Sequence, residues 1–198
     1  MRAVVLELPD RWRAERERMP ESHRDEMWSG VLHMSPPPNF THQDFAGQLY
    51  FFLRMHWALP NGNQVVGEVG VSPPGEPDWR ENYRVPDLTL FTPDRAGINR
   101  DSHLAGAPTV VVEIRSRGDE TYEKLGFYAA LGVPEVWVFD RDTKAVELHL
   151  LAAGGYAVQT PDVAGWYASP ATGVAFRQER AGRIWARIGA AAEELPGA

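Results

Sequence analysis

The stretch TVVVEIRS, residues 109–116, decides how the rest of the chain is read. Three valines and an isoleucine in such a short run favour a strand buried on both faces, yet Glu113 sets a carboxylate among them. A buried carboxylate without a partner costs on the order of several kcal/mol, so something must pair with it, protonate it or bind to it. Side chains alternate along a strand, which puts Val111, Glu113 and Arg115 on one face and Val110, Val112 and Ile114 on the other.

The strand expected before it, VPDLTLF at 85–91, carries Asp87 on the face of Thr89 and Phe91, directly after a proline that suits a strand start. Consecutive strands are usually neighbours, so Asp87 and Glu113 are expected to converge. Two carboxylates that close raise one another's pKa unless a cation lies between them. Oxygen ligation by Asp, Glu and a backbone carbonyl suits Mg²⁺ or Mn²⁺ better than zinc. Taken singly, each residue has a plainer reading. Asp87 reads as a turn or cap residue, Glu113 as half of a buried salt bridge with Arg115 or Lys124, and Lys124 as a solvated helix position.

Further out, residues 10–26 read as a charged helical stretch interrupted at Pro20, which makes 1–27 an N-terminal helical segment ahead of one domain over 28–198. WSGVLHMS reads as a hairpin around Ser-Gly. Thr41 is expected to cap a helix to about Trp57, with Phe45, Leu49, Phe52 and Leu53 on its apolar face. Strands are expected at 64–72, 85–91, 109–115 and 135–140, with a helix at about 119–131 stopped by Gly132. AVELHLL and YAVQT around Gly-Gly, then GVAFRQ and RIWARI around Ala-Gly, read as hairpins. The fold class is therefore α/β (α+β), a mixed sheet with helices and accessory N- and C-terminal hairpins.

Composition removes several alternatives. With 43% apolar and 24% charged residues in 198, the chain has the make-up of a globular domain. It has no cysteine, hence no disulfide or thiolate metal site, and no apolar run long enough for a membrane span, so a soluble, cytoplasmic protein with no membrane partner is expected. A net charge of −7 argues against avid non-specific nucleic-acid binding but leaves room for a local basic groove. Six scattered histidines offer no zinc spacing, and no P-loop, GxSxG or dinucleotide fingerprint occurs in a useful context. Only two of the 20 basic residues are lysines, Lys124 and Lys144.

PDLTLF (86–91), VVEIRS (111–116), a helix bearing Lys124, and PEVWVFD (134–140) together resemble the PD-(D/E)XK nuclease superfamily. Within it they resemble the Uma-two family of bacterial restriction-endonuclease-like proteins, as do GVLHMSPPPNFTHQ (30–43), GAPTVVVE (106–113) and TGVAF (172–176). The resemblance implies a restriction-endonuclease-like mixed sheet flanked by helices, and metal-dependent endonuclease chemistry on nucleic acid, DNA foremost. It implies Mg²⁺ or Mn²⁺ held by Asp87, Glu113 and the backbone carbonyl of Ile114, with Lys124 orienting the attacking water. The superfamily's lysine two residues after the glutamate is Arg115 here, and a guanidinium cannot accept a proton; the resemblance moves that role to Lys124, one turn after Glu120 and one turn before Tyr128. The acid at the position of Glu120 is more typically Asp, and the glutamate-to-lysine connection is shorter than usual. Arg115 is left to contact a substrate phosphate or to neutralise Glu113, and His42 to support the site or make a structural hydrogen bond. A homodimer is the expected assembly. The alternative is a non-catalytic nuclease-fold module for homodimerisation or partner binding, its carboxylates kept as ion pairs.

Overall fold

The computed structural model describes residues 3–5, 14–15, 18–19, 24–180 and 182–196. Most of the helical stretch expected at 10–26 lies outside these residues, and its last residue, Glu26, is in a strand.

A small sheet comes first. Strands β1 (Ala3–Val5), β2 (Glu26–Trp28) and β3 (Val31–Met34) are ordered β1-β3-β2, all antiparallel. Ser29 and Gly30 turn β2 into β3 with φ of 51° and 86°, the positive values that a tight two-residue hairpin turn requires. After the prolines, helix α1 runs Phe40–Leu53 and continues through a π turn, Arg54–Ala58, and a 3₁₀ turn, Leu59–Asn61, to a left-handed Gly62. Its cap is Asn39, not Thr41: the Asn39 side chain accepts from the His42 amide at 3.0 Å, whereas Thr41 is exposed and already helical.

The expected strand 64–72 is two pieces, β4 (Gln64–Gly67) and β5 (Val71–Ser72). The break falls at Glu68, whose φ of 51° ends the extended run while its amide donates to the Asp87 carbonyl at 3.2 Å. Next come β6 (Leu88–Phe91), β7 (Leu104–Ala105) and β8 (Val110–Arg115). The second helix is shorter than 119–131: a 3₁₀ turn at Tyr122–Lys124 leads into α2 (Leu125–Leu131), which ends on Gly132 at φ 83°. Then follow β9 (Glu135–Asp140), β10 (Val146–Ala152), β11 (Gly155–Val158), β12 (Tyr167–Ala168), β13 (Ala175–Arg180), β14 (Arg183–Ile188) and β15 (Ala191–Leu195).

The central sheet is six-stranded and mixed, in the order β11-β10-β9-β8-β6-β4. β8 and β9 are parallel, linked by the α2 crossover, and the other pairs are antiparallel. Alternation along β8 sorts the core. Val110, Val112 and Ile114 pack with Phe45, Leu49 and Phe52 of α1 and with Phe176, Ile184 and Ala186 of the C-terminal sheet β12-β13-β14-β15. Val111 packs on the opposite face with Tyr128, Val136 and Val138. Glu113 therefore faces α2, as its place in the alternation requires. No helix among the described residues is long and apolar enough to cross a membrane.

The cap assignment is testable by urea unfolding. Asn39→Ala should cost about 1 kcal/mol, the usual loss for an N-cap, whereas Thr41→Ala should stay within about 0.5 kcal/mol.

Candidate active site

β6 and β8 pair antiparallel with Leu88 opposite Val112, and one more step along that register sets Asp87 opposite Glu113. Both carboxylates face one cavity of about 500 Å³, which is also lined by Arg24, Glu26, His42, Ile114, Arg117, Glu120, Lys124 and Arg141. The three elements have distinct tasks. The strand expected at 85–91 begins only at Leu88, so Asp87 follows Pro86 just ahead of β6; β8 supplies Glu113, and the turn into α2 brings Lys124 and, four residues on, Tyr128 over the same strand.

Each carboxylate is fully engaged. Asp87 Oδ1 accepts from His42 Nε2 and from Arg24 Nη2, both at 2.9 Å, and Oδ2 accepts from the Ile114 amide at 2.6 Å. Glu113 Oε1 accepts from the Tyr128 hydroxyl at 2.6 Å, and Lys124 Nζ spans both oxygens at 3.1 and 3.2 Å. The lysine also pairs with Glu26 Oε1 at 2.7 Å. Glu26 is 3% exposed and held by the Val85 amide at 2.9 Å and by Trp28 Nε1 at 2.7 Å.

The pKa shifts follow from this packing. Burial pushes Glu113 up to about 8; the Lys124 ammonium opposes the shift, while Asp87 and Glu26 add to it. Burial acts the same way on Asp87, but the hydrogen bond and charge of His42, then Arg24 and the Ile114 amide, outweigh it and hold the carboxyl below its ordinary value. Burial disfavours a charged Lys124, yet Glu113 and Glu26 overcome it and raise the lysine, so it is a cation at any working pH. Tyr128 is raised well above its ordinary value by burial and by Glu113, and stays a donor.

Of the residues singled out in the sequence, Asp87, Glu113, Lys124, His42 and Tyr128 meet in this way. Glu120 lines the cavity with its carboxylate on His33 Nδ1 at 2.8 Å. Arg115 does not join them. It lies on Glu113's side of β8, but its guanidinium turns to Asp140 at 2.6 Å and over the Tyr122 ring, so Lys124 and not Arg115 neutralises Glu113. Arg24 and Glu26 were missed because they sit in a run that reads as a charged helix. The signal for Glu26 lay in the hairpin: carrying the Ser29-Gly30 turn back by register pairs Glu26 with His33 and makes it a strand residue. Arg84 was missed too. It lies between the Trp28 and Phe127 rings at 4.3 and 4.1 Å, and burial lowers its pKa to about 10.

The two carboxylates and a neighbouring carbonyl are hard oxygen donors of the kind a divalent magnesium-like ion takes. Among the described residues no group of three ligating His, Cys, Asp or Glu side chains occurs, so the remaining donors would be backbone, water or substrate. A larger depression of about 640 Å³ lies elsewhere, between Pro73–Arg80 and Arg100–Ala105. Its polar groups are turned on one another, with Arg80 on Asp78 and Trp79 stacked on His103 at 4.4 Å, and it holds none of the three groups above.

Over residues 11–183 the chain matches the Uma2 family, described as "Putative restriction endonuclease", and it belongs to that family, the Uma-two family of the sequence resemblance. A solved structure described as "a putative nuclease belonging to DUF820" from Anabaena variabilis ATCC 29413 superposes with a TM-score of 0.61. It covers 81% of this chain and 89% of that one at 18% identity, a likeness that shows the nuclease-like fold. No curated protein matches the chain.

Glu113 gives a pH test. Its carboxyl titrates at 4.5 when unperturbed and near 8 in the folded protein, so between those values the folded state binds the extra proton and stability falls as pH rises. In chelator, wild type should lose stability relative to Glu113→Gln as pH goes from about 4.5 to about 8, with no further relative loss above that range. A difference that stays flat between pH 5 and pH 8 in urea unfolding would show that Glu113 is not raised.

Proposed function

We propose that the protein is a metal-dependent endonuclease that hydrolyses phosphodiester bonds in nucleic acid, DNA foremost. The observation that carries this reading is the meeting of Asp87, Glu113 and Lys124, from three separate elements, in one cavity. Family membership and the shared fold support it. Asp87, Glu113 and the Ile114 carbonyl would hold Mg²⁺ or Mn²⁺. When bound, such an ion neutralises charge developing on the phosphate and makes water more acidic.

The rest of the chemistry falls to the chain's own groups. His42 and Arg24 keep Asp87 ionised, and the Tyr128 hydroxyl fixes one oxygen of Glu113. Lys124 is held between Glu113 and Glu26, and its raised pKa assigns it a donor's role. It orients the attacking water and stabilises charge on the transferring group, and it does not take the water's proton. Glu120, anchored by His33, is a further carboxylate on the wall.

A homodimer fits paired cuts on two strands. Phe51 of α1, Met55 of the π turn and Leu59 of the 3₁₀ turn, 60%, 42% and 55% exposed, are apolar side chains on the surface that such a contact could cover. The second reading, a nuclease-fold module without catalysis, is favoured by one observation: Arg24, His42, Lys124 and Tyr128 already satisfy both carboxylates. On that reading the ion pairs are the end state.

Two measurements decide between them. Mn²⁺ or Mg²⁺ should raise the melting temperature by an amount set by concentration over Kd, and Asp87→Ala or Glu113→Gln should remove the rise. On plasmid or oligonucleotide substrates, Lys124→Ala should lower kcat by about 10²-fold or more while the metal-induced rise persists, the usual scale for losing one oriented donor. Equal cleavage by wild type, Asp87→Ala and Lys124→Ala would sustain the non-catalytic reading.

A further inference from the structure

We propose a path for the nucleic-acid backbone, resting on the nuclease reading above: from the mouth of the cavity at Arg117, past Arg141, and over the outward face of the C-terminal sheet to Arg187. Neither end of this path has an assigned role so far, and the fold joins them.

At the near end, Arg117 lies in the exposed turn just after β8, lines the same cavity as Asp87 and Glu113, and has no carboxylate or hydrogen-bond partner among the described residues. Its neighbour Arg115, by contrast, is paired with Asp140. Arg141, in the turn after the parallel neighbour β9, lines the cavity as well, though Asp142 holds its guanidinium through Nε at 2.9 Å and Nη2 at 3.0 Å. Both turns lie at the carboxyl ends of adjacent parallel strands, the usual place for ligands in such sheets.

The hairpin β13–β14 docks on the turn that carries Arg141. The Thr143 carbonyl accepts from the Gly182 amide and from Gln178 Nε2, both at 3.0 Å. From that tip, alternation sends Ile184 and Ala186 into the core and Arg183, Trp185 and Arg187 outward. Arg177, opposite Trp185 in register, shares the outward face. Arg187 lies four residues beyond Arg183, roughly 14 Å at the rise of an antiparallel strand. Its guanidinium rests on the Trp166 ring at 3.9 Å, with Arg177 over the same ring at 4.8 Å.

Stacking leaves the in-plane N–H donors of a guanidinium available, and those are the groups that grip phosphate. Arg177 and Arg183 have carboxylate partners, Glu179 at 3.0 Å and Glu194 at 3.8 Å, whereas Arg187 has none among the described residues. It is therefore a pre-oriented cation on the exposed face of an otherwise acidic chain. The chemistry it suits is a phosphodiester backbone. Two guanidinia already rest on the Trp166 ring, which argues against base stacking there.

The two ends respond differently to substrate length. Binding of fluorescent DNA duplexes of 8 and 30 base pairs is measured by anisotropy across a salt series, in Ca²⁺ and in chelator. Arg117→Ala should weaken both duplexes and reduce the salt slope by about one in each, whereas Arg187→Ala should do so for the long duplex alone. Arg80→Ala, at the separate depression where Arg80 pairs with Asp78, serves as the control and should change neither. Losses that do not depend on length, or none from Arg187→Ala while wild type binds, would overturn the path and leave the nuclease reading intact. Failure of wild type to bind either duplex in either buffer would overturn both.

Discussion

Everything around the cavity is arranged to keep Glu113 ionisable in a place where burial opposes it. A carboxylate 4% exposed has lost its water, and its partners must replace that water in kind. Lys124 supplies charge and Tyr128 a hydroxyl, and both reach Glu113 because the β8–α2–β9 crossover lays one helix face over one strand face. Lys124 then needs a second anion, since a single buried pair leaves ammonium protons unused. Glu26 answers that need, and the hairpin at Ser29-Gly30 exists in the one register that delivers it. Arg84, flat between Trp28 and Phe127 and bonded to the Met27 carbonyl, pins the hairpin to α2. The N-terminal hairpin thus lines the cavity through Glu26 and Met34 as well as flanking the sheet.

The centre of the fold was legible because the continuous apolar run of β8 is a strong pattern and Glu113 is the one carboxylate within it. Asp87 could be placed opposite it from Pro86 and the order of strands alone. Helix α1 was read from Phe45, Leu49, Phe52 and Leu53, all buried. Its start was off by two residues because Asn39 and Thr41 are both good caps, and the choice is made by where the proline run lets the chain turn. The split of 64–72 was not legible, since VVGEVGV alternates well enough for one strand and only the positive φ of Glu68 interrupts it. Strand β15, AAEEL, was missed for the opposite reason: its sequence suits a helix, and pairing with Arg183–Ile188 overrides that preference.

Within the site, the partners that come from far along the chain were the hardest to read. Arg24 and Glu26 belong to a stretch whose charge density looks helical, and each meets its counterpart about 60 or more residues away, Arg24 at Asp87 and Glu26 at Val85. Arg115 is more instructive, since it does not neutralise Glu113. It has the right strand, the right face and the right spacing for Glu113, but Asp140 lies directly across the β8–β9 register and a surface carboxylate is cheaper to pair than a buried one. That leaves the buried carboxylate to a lysine arriving from another element. Sheet order, which sets Asp140 across from Arg115, is therefore what leaves Glu113 to Lys124.

An overall charge of −7 looks awkward for the proposed nuclease, but net charge governs the far field and not the local one. At close range the question is which cations have carboxylates to spend themselves on. Arg24, Lys124, Arg115, Arg141 and Arg177 are each paired with an acidic side chain, so they hold the protein together before they attract anything. An acidic background then suppresses weak, unspecific binding, because every stray phosphate meets repulsion first. Binding is left to places where a cation is uncommitted and a backbone can follow several contacts in sequence. The same pairing that stabilises Asp87 and Glu113 also sets the condition for using them. On the proposed reading, a divalent ion would have to compete with Arg24 and Lys124 for carboxylate oxygens they already hold, so its binding would loosen both ion pairs.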